Sequence, residues 1–240
     1  MRTAIREAKY TTRYRVNAIP GLYMPLARIR HRHQPDWCVR RDTELVVEGF
    51  GRSGSTFAVD AFEMAQSRTT RLAHHSHAAA QVLTAARLGV PTVLIVRHPS
   101  DVVPSHMLRR GIGAKAPLAA WVRFHETVVP VRERMLVVSF EEMTKDMGSV
   151  IRRVNARFNT SFAVFEHTPE NEARVFERIE QRNQRRFGTG TEEGSRSLAR
   201  PTVEREERKG RLRAEYEAPA LRPLRDRAER AYRLLLPDGP

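Results

Sequence analysis

Glu44-Leu45-Val46-Val47-Glu48-Gly49-Phe50-Gly51-Arg52-Ser53-Gly54-Ser55-Thr56 is the stretch that decides how this chain of 240 residues is read. A short β-branched run, Glu44 to Glu48, reads as a strand. It ends in Gly49-Phe50-Gly51, and Ala58, Val59, Ala61, Phe62 and Ala65 then recur at helical spacing. A glycine-rich loop between a strand and a helix has the spacing of a phosphate-binding loop, with Ser55 where a nucleotide triphosphatase carries Lys. Glycines let the backbone wrap closely. Free amides at the helix N-terminus point at an anion, and the hydroxyls of Ser53, Ser55 and Thr56 add donors. Arg52 supplies the fixed charge that the missing Lys would have given. The plainer alternative is a glycine–serine turn with a serine helix cap and no ligand.

Outward from this loop, strand and helix alternate. A second strand fits Thr70 to Ser76, followed by a helix from Ala78 to Leu88 that Gly89 and Pro91 terminate. Thr92 to Val96 is a compact apolar run between prolines, the pattern of a buried parallel strand. Helices over about 101–110 and 117–128 precede a strand from Met135 to Phe140 and a helix through Val150, Ile151, Val154 and Phe158. The expected fold class is therefore α/β, a three-layer sandwich with a central, mainly parallel sheet and flanking helices. Residues 42–169 form this core. Residues 1–41 read as a loosely packed basic arm with short helical turns. Residues 170–240 read as a charged helical extension packed on the core, the whole being one domain. Within the extension, a helix over 171–187 carries Val175, Phe176 and Ile179, residues 188–195 read as a flexible loop, and Leu221, Leu224, Ala228, Ala231 and Leu235 share one stripe of a last helix.

Two further segments carry chemistry. In His74-His75-Ser76-His77 an extended backbone places His75 and His77 on one face and His74 on the other. Two imidazoles at a strand end can act as base and donor. A metal reading needs a third ligand, for which Cys38 and His106 are the candidates, and histidines merely satisfied by hydrogen bonds are the structural alternative. In Val96-Arg97-His98-Pro99-Ser100-Asp101-Val102-Val103-Pro104-Ser105 the strand hands over to Arg97, Pro99 breaks it, and Ser100-Asp101 can cap the next helix. Arg97 and Ser105 can pinch a second anionic group.

Composition narrows the classes. Hydrophobic residues make up 40% and charged residues 29%, enough for a sizeable core. A lone cysteine rules out a disulfide framework and makes a reducing, cytoplasmic setting the expectation. No long uninterrupted apolar run is present, and the first residues are too charged for a secretory signal. Net charge is +14, and residues 1–41 hold ten basic against two acidic side chains. Such an arm can meet anionic lipid at a membrane periphery, nucleic acid or an acidic partner, or simply be solvated.

Gly51-Arg52-Ser53-Gly54-Ser55-Thr56, His75-Ser76-His77 and the Arg97…Ser105 pair, in this order, resemble sulfotransferases of bacterial type that use 3′-phosphoadenosine 5′-phosphosulfate. Val138-Ser139-Phe140-Glu141-Glu142 resembles the family's strand-ending Tyr-Glu segment. The resemblance spans about residues 44–160. It implies that Arg52 takes the place of the Lys in the family's Lys-Ser-Gly-Thr-Thr loop, touching the 5′-phosphate and the bridging oxygen. It also implies that Gly51, Ser53, Gly54, Ser55 and Thr56 cradle that phosphate, and that Phe57 stands where an aromatic stacks on adenine. Arg97 and Ser105 match the pair that grips the 3′-phosphate, and His77 matches the catalytic histidine. His75 sits where the family often has Lys. Arg208-Lys209-Gly210 matches a late motif that also binds the 3′-phosphate, although it lies in a charge-laced, helix-like stretch and lacks the family's downstream Gly-Asp-Trp-Lys.

The expectation is a sulfotransferase, EC 2.8.2-type, acting without metal. It would move a sulfuryl group from 3′-phosphoadenosine 5′-phosphosulfate to a hydroxyl or amine of a small-molecule, glycan or lipid acceptor. Two rivals stand beside it. A P-loop small-molecule kinase using ATP and Mg²⁺ would lack the loop Lys and a convincing aspartate, Phe140-Glu141-Glu142 being the nearest candidate. A non-catalytic basic protein binding nucleic acid or a membrane surface would lack interleaved aromatics, so nucleic acid is the less expected partner. Acceptor-binding segments are expected around 109–117 and 187–200, and the sequence carries no signal for oligomeric state.

Overall fold

The computed structural model describes residues 2–34, 37–197 and 203–237. Parts of the basic arm, of the 187–200 segment and of the C-terminal extension thus lie outside the described residues. Four parallel strands form the sheet: β1 (Leu45–Gly49), β2 (Leu72–His74), β3 (Thr92–Val96) and β4 (Leu136–Ser139), in the order β2-β1-β3-β4. Val47 registers with Val93 and His74, and Ile95 with Val138.

The strands are apolar on both faces because both faces are covered. Leu45, Val47, Val93, Ile95, Leu136 and Val138 enter one cluster with α3 (Ser55–Ala65), α8 (Met147–Phe158) and α9 (Pro169–Phe187). Leu94 and Val96 turn the other way. They meet α4 (Ala79–Leu88), α5 (Pro99–Arg110), α6 (Lys115–Val128) and α12 (Arg222–Leu235). The period of two along a strand thus sorts the core into two sheets of contacts, which makes the molecule an α/β three-layer sandwich.

The order of strands fixes where a ligand can sit. From β1 the chain passes through α3 to β2 on one side. From β3 it passes through α5 and α6 to β4 on the other. The two connections leave on opposite faces, so the switch point of the sheet, where folds of this kind hold ligands in a crevice, lies between the carboxyl ends of β1 and β3. The glycine loop follows β1 and Arg97 follows β3, so both segments border that switch point.

Several local readings change. The N-terminal segment is two helices, α1 (Arg2–Val16) and α2 (Pro20–Arg30), rather than short turns. Tyr10 and Tyr14, four apart on α1, insert into the main core, and Met24 and Ala27 of α2 pack over α4. The 188–195 stretch is not wholly loop, because Glu192–Ser197 forms a short α10. β2 is three residues, not seven. Its extension is stopped by left-handed backbone at His75 and His77.

α7 (Phe140–Lys145) begins with a capping box in which Ser139 and Glu142 satisfy each other's backbone amides, and Glu142 also meets Arg153 at 3.1 Å. Those bonds occupy the carboxylate that was the nearest candidate for magnesium. The α5 cap is His98, whose Nδ1 accepts from the Ser100 amide, rather than Ser100-Asp101. α11 (Val203–Glu217) packs along α5 with an Arg213–Asp101 ion pair at 3.4 Å, and α12 with the turn before it buries Leu221, Ala228, Ala231 and Leu235, Leu224 of the same stripe being half-buried. Among the described residues no helix is long and apolar enough to cross a membrane.

Candidate active site

The loop is built so that backbone, not side chain, lines its mouth. Gly49 has no room for a Cβ, which would lie 2.5 Å from the Ile95 carbonyl oxygen of β3. Gly54 takes φ +85°, and a Cβ there would lie 2.7 Å from the Met143 methyl and 2.9 Å from the Phe140 ring. Between them Arg52 also takes a left-handed conformation, φ +73°, at a cost of about 1–2 kcal/mol for a non-glycine residue. α3 starts at Ser55, so its first amides face the crevice as an anion site requires. Ser53 does not contribute as expected. It is fully buried, its side chain sits against Gly49, and its hydroxyl has no partner among the described residues.

Arg52, Ser105 and Arg97 come together. The Arg52 Nε donates to Ser105 Oγ at 3.0 Å, and Arg97 reaches the Arg52 carbonyl at 3.5 Å. Another Arg52 nitrogen donates to the Ser197 carbonyl of α10 at 3.3 Å. Accepting from Arg52 leaves the Ser105 proton available for a second acceptor. The Arg97 guanidinium lies 3.8 Å over the Phe140 ring, and its Nε is buried without a partner among the described residues. Phe140, read in the sequence only as part of a strand-ending segment, starts α7 and touches both the glycine loop and Arg97. It is wedged between Gly54 and Arg97, aligning the loop and the second clamp at once.

The histidine turn is organised by a residue the sequence reading treated only as strand, Glu48. It is fully buried at the end of β1, and its carboxylate accepts from the Ser76 amide at 2.8 Å, the His77 amide at 3.1 Å and the Gln81 side chain at 2.9 Å. Burial still pushes its pKa up to about 7, the donors opposing that rise. The available signal was a lone carboxylate inside an apolar parallel strand, which has to be buried and therefore partnered.

His75 and His77 do not project as strand neighbours. Both have positive φ, 59° and 50°, so the turn curls each ring toward the loop. His77 Nδ1 donates to the Gly49 carbonyl at 2.9 Å. A carbonyl only accepts, so this bond fixes the proton on Nδ1 and leaves Nε2 with its lone pair. Burial lowers the His77 pKa to about 4, with Arg13, Arg109 and Arg52 adding to the depression and the bond to Gly49 opposing it. His77 is therefore neutral near pH 7 and can accept a proton. His75 Nε2 lies 3.1 Å from the Thr56 hydroxyl and its Nδ1 meets His74 Nδ1, so His74 joins the cluster instead of pointing away.

The remaining positions separate into those brought to the crevice and those left outside it. Phe57 is 5% exposed and packs against Phe176 and His167, so it is a core residue with no open face for adenine. Of the late motif, Lys209 alone turns inward. It is buried between α11 and α5 and pairs with Glu206 at 2.6 Å. Arg208 lies along α11 opposite Glu204 at 3.8 Å, and Gly210 is exposed with open space around it. Cys38 is buried in a separate cluster with Val39 and Ala73. His106 donates from Nε2 to the Gly51 carbonyl at 2.9 Å and accepts from the Tyr10 hydroxyl at 3.1 Å. That relay ties the N-terminal helix to the glycine loop. Among the described residues no three His, Cys, Asp or Glu stand together as a metal site. The 109–117 segment is pinned by Glu7 of α1 on the Gly113 amide and by Glu215 of α11 on the Ala114 amide.

These titrations give a stability prediction. Burial drives His106 and His125 down to about 3 from an ordinary 6.5. A depressed histidine contributes stability that is complete above about pH 6.5 and is lost as pH falls toward the folded value. The loss by pH 4 is roughly 3 kcal/mol for each ring. Glu48 has the opposite sign. Its contribution is complete below about pH 4.5 and drains as pH rises through 7. Urea unfolding measured across pH 7 to 4 should therefore show a net loss, and His125→Leu should flatten the curve. An unchanged slope in that variant would refute the assignment.

An α/β protein with a glycine-rich loop at the switch point of a parallel sheet is the class that this fold defines. Comparison with protein-family models and with curated proteins returns no match. Among solved structures, the crystal structure of a mouse sulfotransferase, SULT7A1, complexed with PAP is similar at 12% identity and a TM-score of 0.44, covering 84% of this chain and 95% of that chain. Likeness at that level assigns neither residue nor reaction.

Proposed function

We propose that the protein transfers a sulfuryl group from 3′-phosphoadenosine 5′-phosphosulfate to a hydroxyl or amine. The observation that carries this reading is the meeting, at one crevice, of a backbone anion cradle, the Arg52–Ser105–Arg97 clamp and an imidazole whose free nitrogen is fixed as Nε2. The amides at the start of α3 and the grouping of Arg97 with Ser105 and Arg52 suit two phosphates. The amides from Gly54 to Thr56 would hold the 5′-phosphate and Arg97 with Ser105 the 3′-phosphate. The buried Phe57 does not suit a stacking role, so adenine would have to be held by other contacts.

In the reaction the acceptor oxygen or nitrogen attacks sulfur, the bond from sulfur to the bridging phosphate oxygen breaks, and the acceptor proton passes to His77 Nε2. Arg52 and the loop amides stabilise the negative charge that gathers on the departing phosphate. Arg52 cannot serve as a proton donor, since a guanidinium stays charged. Its role is electrostatic. An imidazole with a pKa near 4 is a poor base; burial is the main cause and stays, but the smaller contribution of Arg13, Arg109 and Arg52 would be offset by a bound polyanion. Its pKa should therefore move up on adding adenosine 3′,5′-bisphosphate, which a proton NMR titration of His77 reads directly.

Calorimetric titration with adenosine 3′,5′-bisphosphate, against AMP and ADP and with EDTA present, tests the donor site. Binding should depend on the 3′-phosphate, and Arg97→Ala should weaken it by about 1.5–3 kcal/mol while leaving AMP almost unaffected. Binding of ATP alone, and only with Mg²⁺, would turn the reading toward a kinase.

A further inference from the structure

We propose that the outward face of α2 docks on the surface of an anionic lipid bilayer. Four large aliphatic side chains, Ile19, Leu22, Leu26 and Ile29, are 52%, 46%, 53% and 68% exposed. Their spacing of three, four and three residues places them on one stripe of α2 and its N-cap, while Met24 and Ala27 on the other side bury against α4. Globular proteins expose single apolar residues freely, but a continuous aliphatic stripe calls for a covering.

The charge around the stripe selects what covers it. Between Glu7 and Asp36 the chain carries no acidic residue, whereas Arg28, Arg30 and Arg32 crowd the C-terminal end of α2. Aliphatic residues beside arginines, on a helix lying at the surface of the fold, suit insertion between lipid headgroups, where apolar burial and attraction to anionic lipid add. A second copy of this chain would bring like charge against like charge. A nucleic acid would find neither stacking rings nor base-reading donors on an Ile/Leu stripe. Docking also fixes how the histidine turn faces the bilayer, since His31 at the end of α2 stacks on Trp37 at 4.7 Å and Trp37 lies 6.4 Å from His75. The proposal stands on the surface alone and is independent of the reaction.

Sedimentation of the full chain with vesicles tests it. One set holds phosphatidylcholine only, and the other holds phosphatidylcholine with phosphatidylglycerol. The chain should bind the anionic vesicles and not the neutral ones. The double substitution Leu26→Asp and Ile29→Asp should weaken that binding on the order of 100-fold. Val203→Asp, which changes a residue exposed on α11, should leave it unchanged. Circular dichroism and the urea-unfolding midpoint of the double variant report that the fold is intact. Equal binding by wild type and double variant would overturn the proposal, as would failure of the wild type to bind anionic vesicles. So would gel filtration in which the double substitution converts a dimer to a monomer without affecting vesicle binding.

Discussion

His77→Asn should lower turnover by about 100- to 10,000-fold while leaving affinity for adenosine 3′,5′-bisphosphate within about threefold. Asparagine is the informative replacement. It tolerates the left-handed backbone that His77 adopts, φ +50°, and its amide can still donate to the Gly49 carbonyl. What it lacks is a nitrogen lone pair directed at the acceptor. Melting temperature should change little, and the acidic limb of the pH–rate profile should disappear along with the activity. Turnover retained in this variant would remove His77 from the chemistry. Loss of turnover together with loss of nucleotide affinity would instead show that the turn acts by shaping the loop.

Gly54→Ala should destabilise the protein by about 2–4 kcal/mol and weaken anion binding in the same variant. Two costs add at this position. Alanine resists φ +85°, and its methyl would meet Met143 at 2.7 Å and Phe140 at 2.9 Å. Moving Phe140 also disturbs the platform 3.8 Å beneath the Arg97 guanidinium, so the second clamp loosens although the substitution lies in the first. Gly210→Ala provides the contrast. It lies inside α11 with nothing near its Cβ direction, and it should stabilise by about 0.5–1 kcal/mol without touching nucleotide binding. Urea denaturation and calorimetry of the two variants separate a glycine held by geometry from one that only completes a motif. A Gly210→Ala variant that lost 3′-phosphate recognition would restore the late motif to the site.

The two glycines look alike in the sequence, and so do several other pairs. Arg208 and Lys209 are adjacent basic residues on a charge-laced helix, yet only Lys209 is turned into the α5 interface, because α11 packs against α5 along one face. Phe57 and Phe140 are both aromatics beside expected binding segments. The first is drawn into the core by Phe176 of α9, and the second is held at the crevice beneath Arg97. Periodicity identifies which residues are apolar, and contact between distant segments decides which of them enter the core and which stand at the switch point of the sheet.

Sequence alone determined the alternation of strands and helices, the burial of β3 on both faces, the glycine-rich loop between β1 and α3, and the stripe by which the last helix docks. Each of these is local: it depends on spacing within about 20 residues and on the chemistry of glycine, proline and β-branched side chains. Only the tertiary structure decided that Glu48 holds the Ser76 and His77 amides, that His77 carries its proton on Nδ1, and that Tyr10 reaches the Gly51 carbonyl through His106. The strand order β2-β1-β3-β4 places the ends of β1 and β3 side by side, and with them Arg52 and Arg97, 45 residues apart in the chain. A hydrogen bond across that distance has no local signature, because its partners are selected by packing and not by spacing.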